Sequence, residues 1–149
     1  LSPGFRWGTT LLPNQDITVD DLYSQTSINY PEVYRQEISG QGLKNILEDV
    51  CDNLFNPDPF YQQGGDMVRV GGITYRCSPK AKMGQRISEM RLVSNGELIQ
   101  ENKNYIVGGW GSINKDVKGP KIYNLLEDYI KLQDKVSPKF KDSVEVIGM

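Results

Sequence analysis

The sequence contains no histidine. A zinc site built from cysteine and histidine is therefore excluded, and so are the Ser-His-Asp and Cys-His catalytic arrangements. Only two cysteines occur, Cys51 and Cys77, which are too few for a disulfide scaffold. A single bridge between them and two separately buried thiols both agree with the sequence.

Long apolar runs and an excess of one charge are also missing. No apolar run approaches the ~20 residues that a membrane span needs. The net charge of −2 argues against non-specific binding of nucleic acid, which depends on a basic excess. The 149 residues, 38% of them hydrophobic and 24% charged, indicate one globular domain. The chain begins at Leu1 without a signal peptide, and we expect a start cut by processing or at a fragment boundary.

Apolar periodicity predicts two amphipathic helices and one short helix. Thr18 and Asp21 form a variant of the capping box that begins the short helix. Ser39 is the predicted N-cap of a helix over residues 41–55, whose apolar residues recur at three- and four-residue steps. Another helix follows from Ile122 onward. Strands are predicted at residues 32–38, 67–70, 73–77, 86–93, 103–107 and 144–147. The mixture, without regular βαβ alternation, predicts an α+β fold in which helices pack on a mixed β-sheet.

Three carboxylates lie close together on the helix over residues 41–55. Glu48, Asp49 and Asp52 could form a metal cluster or a solvated helix face. We expect the solvated face, because charged residues opposite an apolar stripe usually face water.

The segment at residues 64–72 reads Gly-Gly-Asp-Met-Val-Arg-Val-Gly-Gly. A glycine pair on each side of a short Val-rich run predicts a strand whose ends are open to an approaching ligand. Arg69 is a candidate anion contact, because the planar guanidinium binds oxyanions through two parallel hydrogen bonds. Asp66 could brace Arg69, and the alternative is a surface arginine in a Gly-rich hairpin.

Arg6, which has aromatic neighbours, and Trp110 are further candidates for ligand binding. Arg6 lies between Phe5 and Trp7, an arrangement that could hold an anion or a flat ring, or could anchor the N-terminal segment to the core. Trp110 has glycines on both sides at the end of a predicted strand. It is either an exposed aromatic platform or a plug in the core, and we expect it to be exposed, because its glycine neighbours would keep the surroundings open for a ligand.

The order of these motifs resembles the C-terminal domain of the 5′-nucleotidase family over residue 1 to about residue 129. The resemblance depends on Ser-Pro-Gly-Phe-Arg-Trp-Gly at residues 2–8, the helix start at residues 18–23, the helix after Ser39 and the segment at residues 64–72. Within the family, these motifs are most similar to the thiosulfohydrolases of periplasmic sulfur oxidation, the SoxB enzymes.

The resemblance implies a two-domain hydrolase of which residues 1–149 form the substrate-binding domain. The absent N-terminal metallophosphatase domain would carry a dimanganese centre, and this chain would hold no cofactor. The substrate-binding residues would be Arg6, Trp7, Asp66, Arg69 and Trp110, with Arg6 at the position of the family's anion-binding arginine. The implied substrate is a cysteine S-thiosulfonate on the SoxY–SoxZ carrier in the periplasm, from which sulfate is released.

Two alternatives remain open at this point. A nucleotidase substrate-binding domain is one, although Lys118-Gly119-Pro120 stands where nucleotidases have a Gly-Gly-Asp-Gly-Tyr sequence. A non-catalytic interaction module without an anion site is the other.

Overall fold

The computed structural model describes residues 1–3, 10–112, 116–137 and 142–148, and over these ranges it contains three α-helices and five strands. The helices are α1 (Val19–Gln25), α2 (Gly40–Phe55) and α3 (Ile122–Lys131). The strands are β1 (Val33–Ser39), β2 (Ile73–Cys77), β3 (Ile87–Leu92), β4 (Asn104–Trp110) and β5 (Val144–Val146), and a single 3₁₀ turn covers Pro59–Tyr61. The predicted α+β class is confirmed.

Local signals begin the first two helices where the sequence predicts. At α1, Thr18 Oγ1 accepts from Asp21 N at 3.2 Å, and Thr18 N donates to Asp21 Oδ2 at 2.8 Å. At α2, Ser39 Oγ accepts from Gly42 N at 3.0 Å. These bonds satisfy amide groups that have no partner inside the helix, so the capping box and the N-cap are confirmed.

The strands form two sheets, one with the order β1-β4 and the other with the order β3-β2-β5. β2 pairs with β3 in antiparallel fashion and with β5 in parallel fashion. The register shifts between Thr74 and Arg76, where β3 contributes one additional residue. Glu89 lies opposite this shift with a φ of 52°, as expected for a β-bulge.

The chain divides into two compact units. The first consists of Leu1, Gln36–Val107 and Phe140–Met149, and the second of Ser2–Arg35 and Gly108–Lys139. α2 and the sheet of β3, β2 and β5 belong to the first unit, whereas α1 and α3 belong to the second.

The core of the first unit lies between α2 and the three-stranded sheet. Alternation along β2 buries Ile73, Tyr75 and Cys77 on one face. The apolar stripe of α2 buries Leu47 and Cys51 completely. Both cysteines are free thiols, and their Sγ atoms are 3.4 Å apart. This core therefore joins the helix directly to the central strand.

The second unit is built on contacts between α1 and α3. The rings of Tyr23 and Tyr123 lie 4.9 Å apart in a tilted arrangement. Pro31 O accepts from Ile122 N at 2.8 Å, and Ile122 is buried at the start of α3. No helix within the described ranges has the length and apolarity required to cross a membrane.

Candidate functional site

The segment at residues 64–72 lies in the first unit as an irregular loop. The strand predicted over residues 67–70 is wrong, because only Arg69 makes an isolated bridge in this stretch. The loop is fixed at its two ends, where Gly64 N donates to Asn53 O at 3.2 Å and Val93 N donates to Gly72 O at 2.9 Å. A strand needs a partner along its whole length, and these two bonds join only the ends.

The glycines of this loop have no close neighbours among the described residues. Gly64, Gly65 and Gly72 have positive φ angles of 73°, 94° and 80°, which other residues adopt only with strain. A β-carbon placed on any of the three, or on Gly71, would meet no atom of the described residues within 4 Å. Among the described residues the backbone at these glycines is therefore uncovered, in a loop and not at the ends of a strand, and access for a ligand stays a prediction.

The Arg69 side chain is exposed on this loop, and with respect to the described residues most of its hydrogen-bonding capacity is unused. Its Nη1 donates to Met67 O at 3.1 Å, and this is the only side-chain hydrogen bond of Arg69 to the described residues. In the same part of the chain no ion pair joins Arg69 to Asp66, so Asp66 does not brace the guanidinium. A guanidinium has five N–H donors, so Arg69 can still bind an anion through two bonds.

Trp110 is a core residue of the second unit and not an exposed platform. Its side chain is 8% exposed, and its Nε1 donates to Ser2 Oγ at 2.9 Å. The flanking glycines permit close packing: a β-carbon at Gly111 would lie 2.8 Å from Pro3 Cγ. The prediction of an exposed Trp110 is wrong, because β4 continues through this residue and carries it inward.

Arg6 and Trp7 lie outside the described residues, so their predicted roles stay predictions. Of the predicted site residues, the structure places Asp66 and Arg69 on one exposed loop of the first unit. It places Trp110 in the interior of the second unit.

A buried polar cluster around Arg86 was not predicted. Arg86 is 2% exposed, and it donates to the carbonyl oxygens of Pro79 at 3.2 Å, Ala81 at 2.9 Å and Phe55 at 3.3 Å. Its Nη1 also pairs with the carboxylate of Asp52. The guanidinium thereby ties the loop before β3 to the C-terminal end of α2.

Glu48 holds the same loop from the preceding turn of α2. It is 3% exposed, and its two carboxylate oxygens accept from Gly84 N at 2.8 Å and Ile87 N at 2.7 Å. The prediction of a solvated face is therefore wrong for Glu48 and Asp52, and only Asp49 is exposed. The sequence did contain a signal for this burial: Glu48 and Asp52 lie one helical turn apart and directly follow the buried Leu47 and Cys51.

The electrostatics of the first unit follow from this burial. Hydrogen bonds from Arg86 and Asn56 lower the pKa of Asp52. Burial raises the pKa of Tyr75 to about 12, and the nearby thiols contribute. The Tyr75 hydroxyl has no hydrogen-bond partner among the described residues. The Asp52 carboxyl is therefore charged at neutral pH, and the Tyr75 hydroxyl is neutral.

A cavity of about 850 Å³ lies beside the Arg86 cluster. Its volume is in the range of small-molecule sites. The lining is mainly apolar, with Phe55, Pro57 and Met83, and two lysines, Lys80 and Lys82, also contribute. None of the predicted site residues in the described ranges lines it.

A dimanganese centre does not fit this part of the chain. The described residues include no group of three or more His, Cys, Asp or Glu side chains that could hold a metal ion. Glu48 and Asp52, the strongest carboxylate candidates, already serve backbone amides and Arg86.

Comparison with solved structures shows a close relative and several distant ones. The chain is similar to the sulfate thiohydrolase SoxB of Thermus thermophilus, with a TM-score of 0.87 and 37% identity over 99% of this chain. A 5′-nucleotidase precursor, also from Thermus thermophilus, gives a TM-score of 0.66 and 17% identity over 89% of this chain and 28% of that chain. The NAD nucleotidase NadN of Haemophilus influenzae gives 0.65 and 17% over 87% of this chain and 26% of that chain.

These matches differ in what they show. The two nucleotidases share the fold, whereas SoxB also shares more than a third of its aligned residues with the chain. The chain spans 28% of the SoxB structure that it matches. No curated protein sequence matches it significantly.

The family follows from a match that is independent of the structures. The family model for the 5′-nucleotidase C-terminal domain matches residues 2–113, which include the aromatic motif near the N-terminus, α2 and the glycine-rich loop. The resemblance inferred from the motifs is thus confirmed, and the chain belongs to the 5′-nucleotidase C-terminal domain family.

Proposed function

We propose that this chain is the substrate-recognition domain of a thiosulfohydrolase of the SoxB type. The observation that carries the proposal is the 37% identity to SoxB over 99% of the chain, against 17% for the two nucleotidases. The hydrolase would be completed by an N-terminal metallophosphatase domain with a dimanganese centre. Its compartment would be the periplasm.

The proposed substrate is a cysteine S-thiosulfonate on the SoxY–SoxZ carrier complex. In its hydrolysis the oxygen of water bonds to the sulfonate sulfur, the S–S bond breaks, and the sulfur that remains on the carrier leaves with the electron pair. The products are sulfate and a carrier that retains this sulfur. The task of the present chain is to hold the sulfonate and the arm that carries it.

Arg69 supports an anion-holding role. Within the described ranges it is exposed on a loop whose glycines have no neighbouring atoms, and one hydrogen bond to Met67 O occupies only part of its guanidinium. A sulfonate presents three oxygens, to which a planar guanidinium can donate two parallel bonds. We propose that Arg6, at the position of the family's anion-binding arginine, is the main contact and that Arg69 assists it.

The segment at residues 118–120 supports a substrate other than a nucleotide. Pro120 O accepts from Val33 N at 2.8 Å, and a β-carbon on Gly119 would overlap the carbonyl of Val33. This segment is therefore packed on β1, in the place where nucleotidases have a different glycine-rich sequence.

The test compares arginine variants in the complete two-domain protein. Arg6→Ala should lower kcat/KM for sulfate release about ten- to a hundredfold, since a charge-assisted hydrogen bond contributes about 1.5–3 kcal/mol. Arg6→Lys should recover only part of the loss, because lysine keeps the charge without the fork. Arg69→Ala should give a smaller loss.

Arg91→Ala is the matched control, because Arg91 is an exposed arginine of the first unit that is already bonded to Glu89 and Gly96 O. It should retain wild-type kcat/KM. A folded Arg6→Ala variant with wild-type kcat/KM would rule out its role. Rapid hydrolysis of a 5′-nucleotide with no turnover of the S-thiosulfonate would replace the proposal with the nucleotidase alternative.

A further inference from the structure

The two cysteines face each other across the core of the first unit. Cys51 belongs to the buried stripe of α2, and Cys77 is the last residue of β2. Their Sγ atoms are 3.4 Å apart, and the residues are 0% and 5% exposed. Among the described residues, each thiol has the other as its only hydrogen-bond partner. Two thiols in van der Waals contact need little movement to form a covalent bond.

The surroundings of this pair favour neither a metal nor a reactive thiolate. The described residues contain no third ligand that would complete a metal site with the two cysteines. Burial raises the pKa of Cys51 to about 12, and Cys77 contributes. A protonated, buried thiol is a poor nucleophile, so reaction with an external oxidant is slow in the folded protein. Oxidation is therefore expected while α2 and β2 are still coming together.

We propose that Cys51 and Cys77 form an intramolecular disulfide that ties α2 to β2. One thiolate attacks a disulfide donor such as oxidised glutathione, and the second thiolate then attacks the mixed disulfide. The protein loses two protons and two electrons as the new S–S bond forms. The donor gains them as its own S–S bond breaks to give two thiols.

The position of the bridge in the chain gives it a specific consequence. The two cysteines are 26 residues apart, and the segment between them contains the glycine-rich loop with Arg69. The disulfide joins the two ends of this segment in the unfolded chain as well. The unfolded chain then has fewer conformations, so less conformational entropy is gained on unfolding. The disulfide therefore stabilises the first unit and keeps the two ends of the loop together.

The experiment counts thiols after refolding of the full-length protein that carries this chain. The reduced, unfolded protein is refolded with a mixture of oxidised and reduced glutathione, then denatured and treated with iodoacetamide. Mass spectrometry of the digest should find the Cys51 and Cys77 peptides joined by a disulfide and free of alkylation. The oxidised protein should melt roughly 5–10 °C above the reduced protein.

Single variants provide the control. Cys51→Ala and Cys77→Ala should each leave the remaining cysteine alkylated, and their melting temperatures should not respond to glutathione. Should either variant fail to fold, the thiol count of the wild-type protein still decides. Two alkylated cysteines in the refolded wild type would overturn the proposal, and so would glutathione or another chain bound to either one. Because the readout is a bond within this chain, it does not depend on the proposed function.

Discussion

At the scale of single residues, buried charges are the least visible part of this protein in its sequence. Glu48 and Asp52 look like members of a solvated helix face, yet one carboxylate serves two backbone amides and the other serves Arg86. Their partners lie more than thirty residues away, which no local pattern reports. Buried charges are compatible with folding only when such partners are present.

Arg86 is accordingly expected to be a major determinant of stability. Arg86→Ala would remove the ion-pair partner of Asp52 and the donor to three carbonyl oxygens, and a buried polar group left without its partner costs about 1–3 kcal/mol. Arg91→Ala removes an exposed arginine and should cost less than about 1 kcal/mol. Denaturant unfolding of both variants checks this, and equal losses would contradict it.

Asp52 makes the same cluster sensitive to acid. The pKa of its carboxyl is lowered, chiefly by the hydrogen bond from Arg86, below the value of about 3.9 expected in the unfolded chain. Its stabilising effect is therefore complete above the unfolded pKa and is lost as the pH falls through the folded pKa. Asp52→Asn should be less stable than wild type at neutral pH, and the difference should shrink below about pH 4.

Urea unfolding of wild type and Asp52→Asn across this pH range tests the effect. Asn56→Ala should show a weaker dependence in the same direction, because Asn56 contributes less to the shift than Arg86 does. A difference between wild type and Asp52→Asn that does not change with pH would show that the carboxylate titrates normally.

At the scale of elements, Gly40 and Gly71 have contrasting surroundings, so substitutions at the two positions distinguish an effect on packing from an effect on ligand access. A β-carbon on Gly40 would overlap the backbone carbonyl of Gln100 and lie 2.8 Å from Ile99 Cγ2. The start of α2 thus packs directly on the segment before β4. A β-carbon on Gly71 would meet nothing within 4 Å among the described residues, and its φ is not positive.

Gly40→Ala should therefore destabilise the protein by about 1–3 kcal/mol through overpacking. Gly71→Ala should leave the stability unchanged or raise it by up to about 1 kcal/mol, because alanine restricts the unfolded chain. The measurement is the free energy of unfolding in denaturant. A stable Gly40→Ala variant would show that the start of α2 can move away from Gln100.

Gly71→Ala also tests whether a ligand reaches the loop backbone. If the substrate approaches the main chain there, the added methyl group should lower kcat/KM of the complete enzyme several-fold without loss of stability. Gly108→Ala, outside the loop, is the control for a general response to glycine substitution, because its φ is not positive and an added β-carbon would come no closer than 3.9 Å to Tyr34 O among the described residues. Unchanged kinetics in Gly71→Ala would place the substrate away from this part of the loop.

At the scale of the whole molecule, the proposed function assigns the catalytic metals to a domain other than this chain. It contains no histidine, and the described residues offer no cluster of ligands. We expect calorimetric titration of the isolated chain with Mn²⁺ to show no site of micromolar or tighter affinity. The complete two-domain protein is the positive control, and a saturable site or any turnover in the isolated chain would refute this expectation.

The sequence by itself determined the features that depend on neighbouring residues. Thr18, Asp21 and Ser39 begin helices through bonds to amides within three residues, and the periodicity of α2 defines which side is buried. The motifs also identified the family, since they depend on residue order alone.

Only the tertiary structure decided what distant residues do to one another. Trp110 can be buried because Ser2 Oγ accepts from its indole N–H. Glu48 can be buried because two backbone amides of a distant loop donate to its carboxylate. Residues 67–70 make only the single bridge at Arg69 and therefore remain a loop, although their composition favours a strand. Burial and strand pairing are properties of the assembled fold, because the groups that satisfy a buried donor or extend a sheet come from elsewhere in the chain.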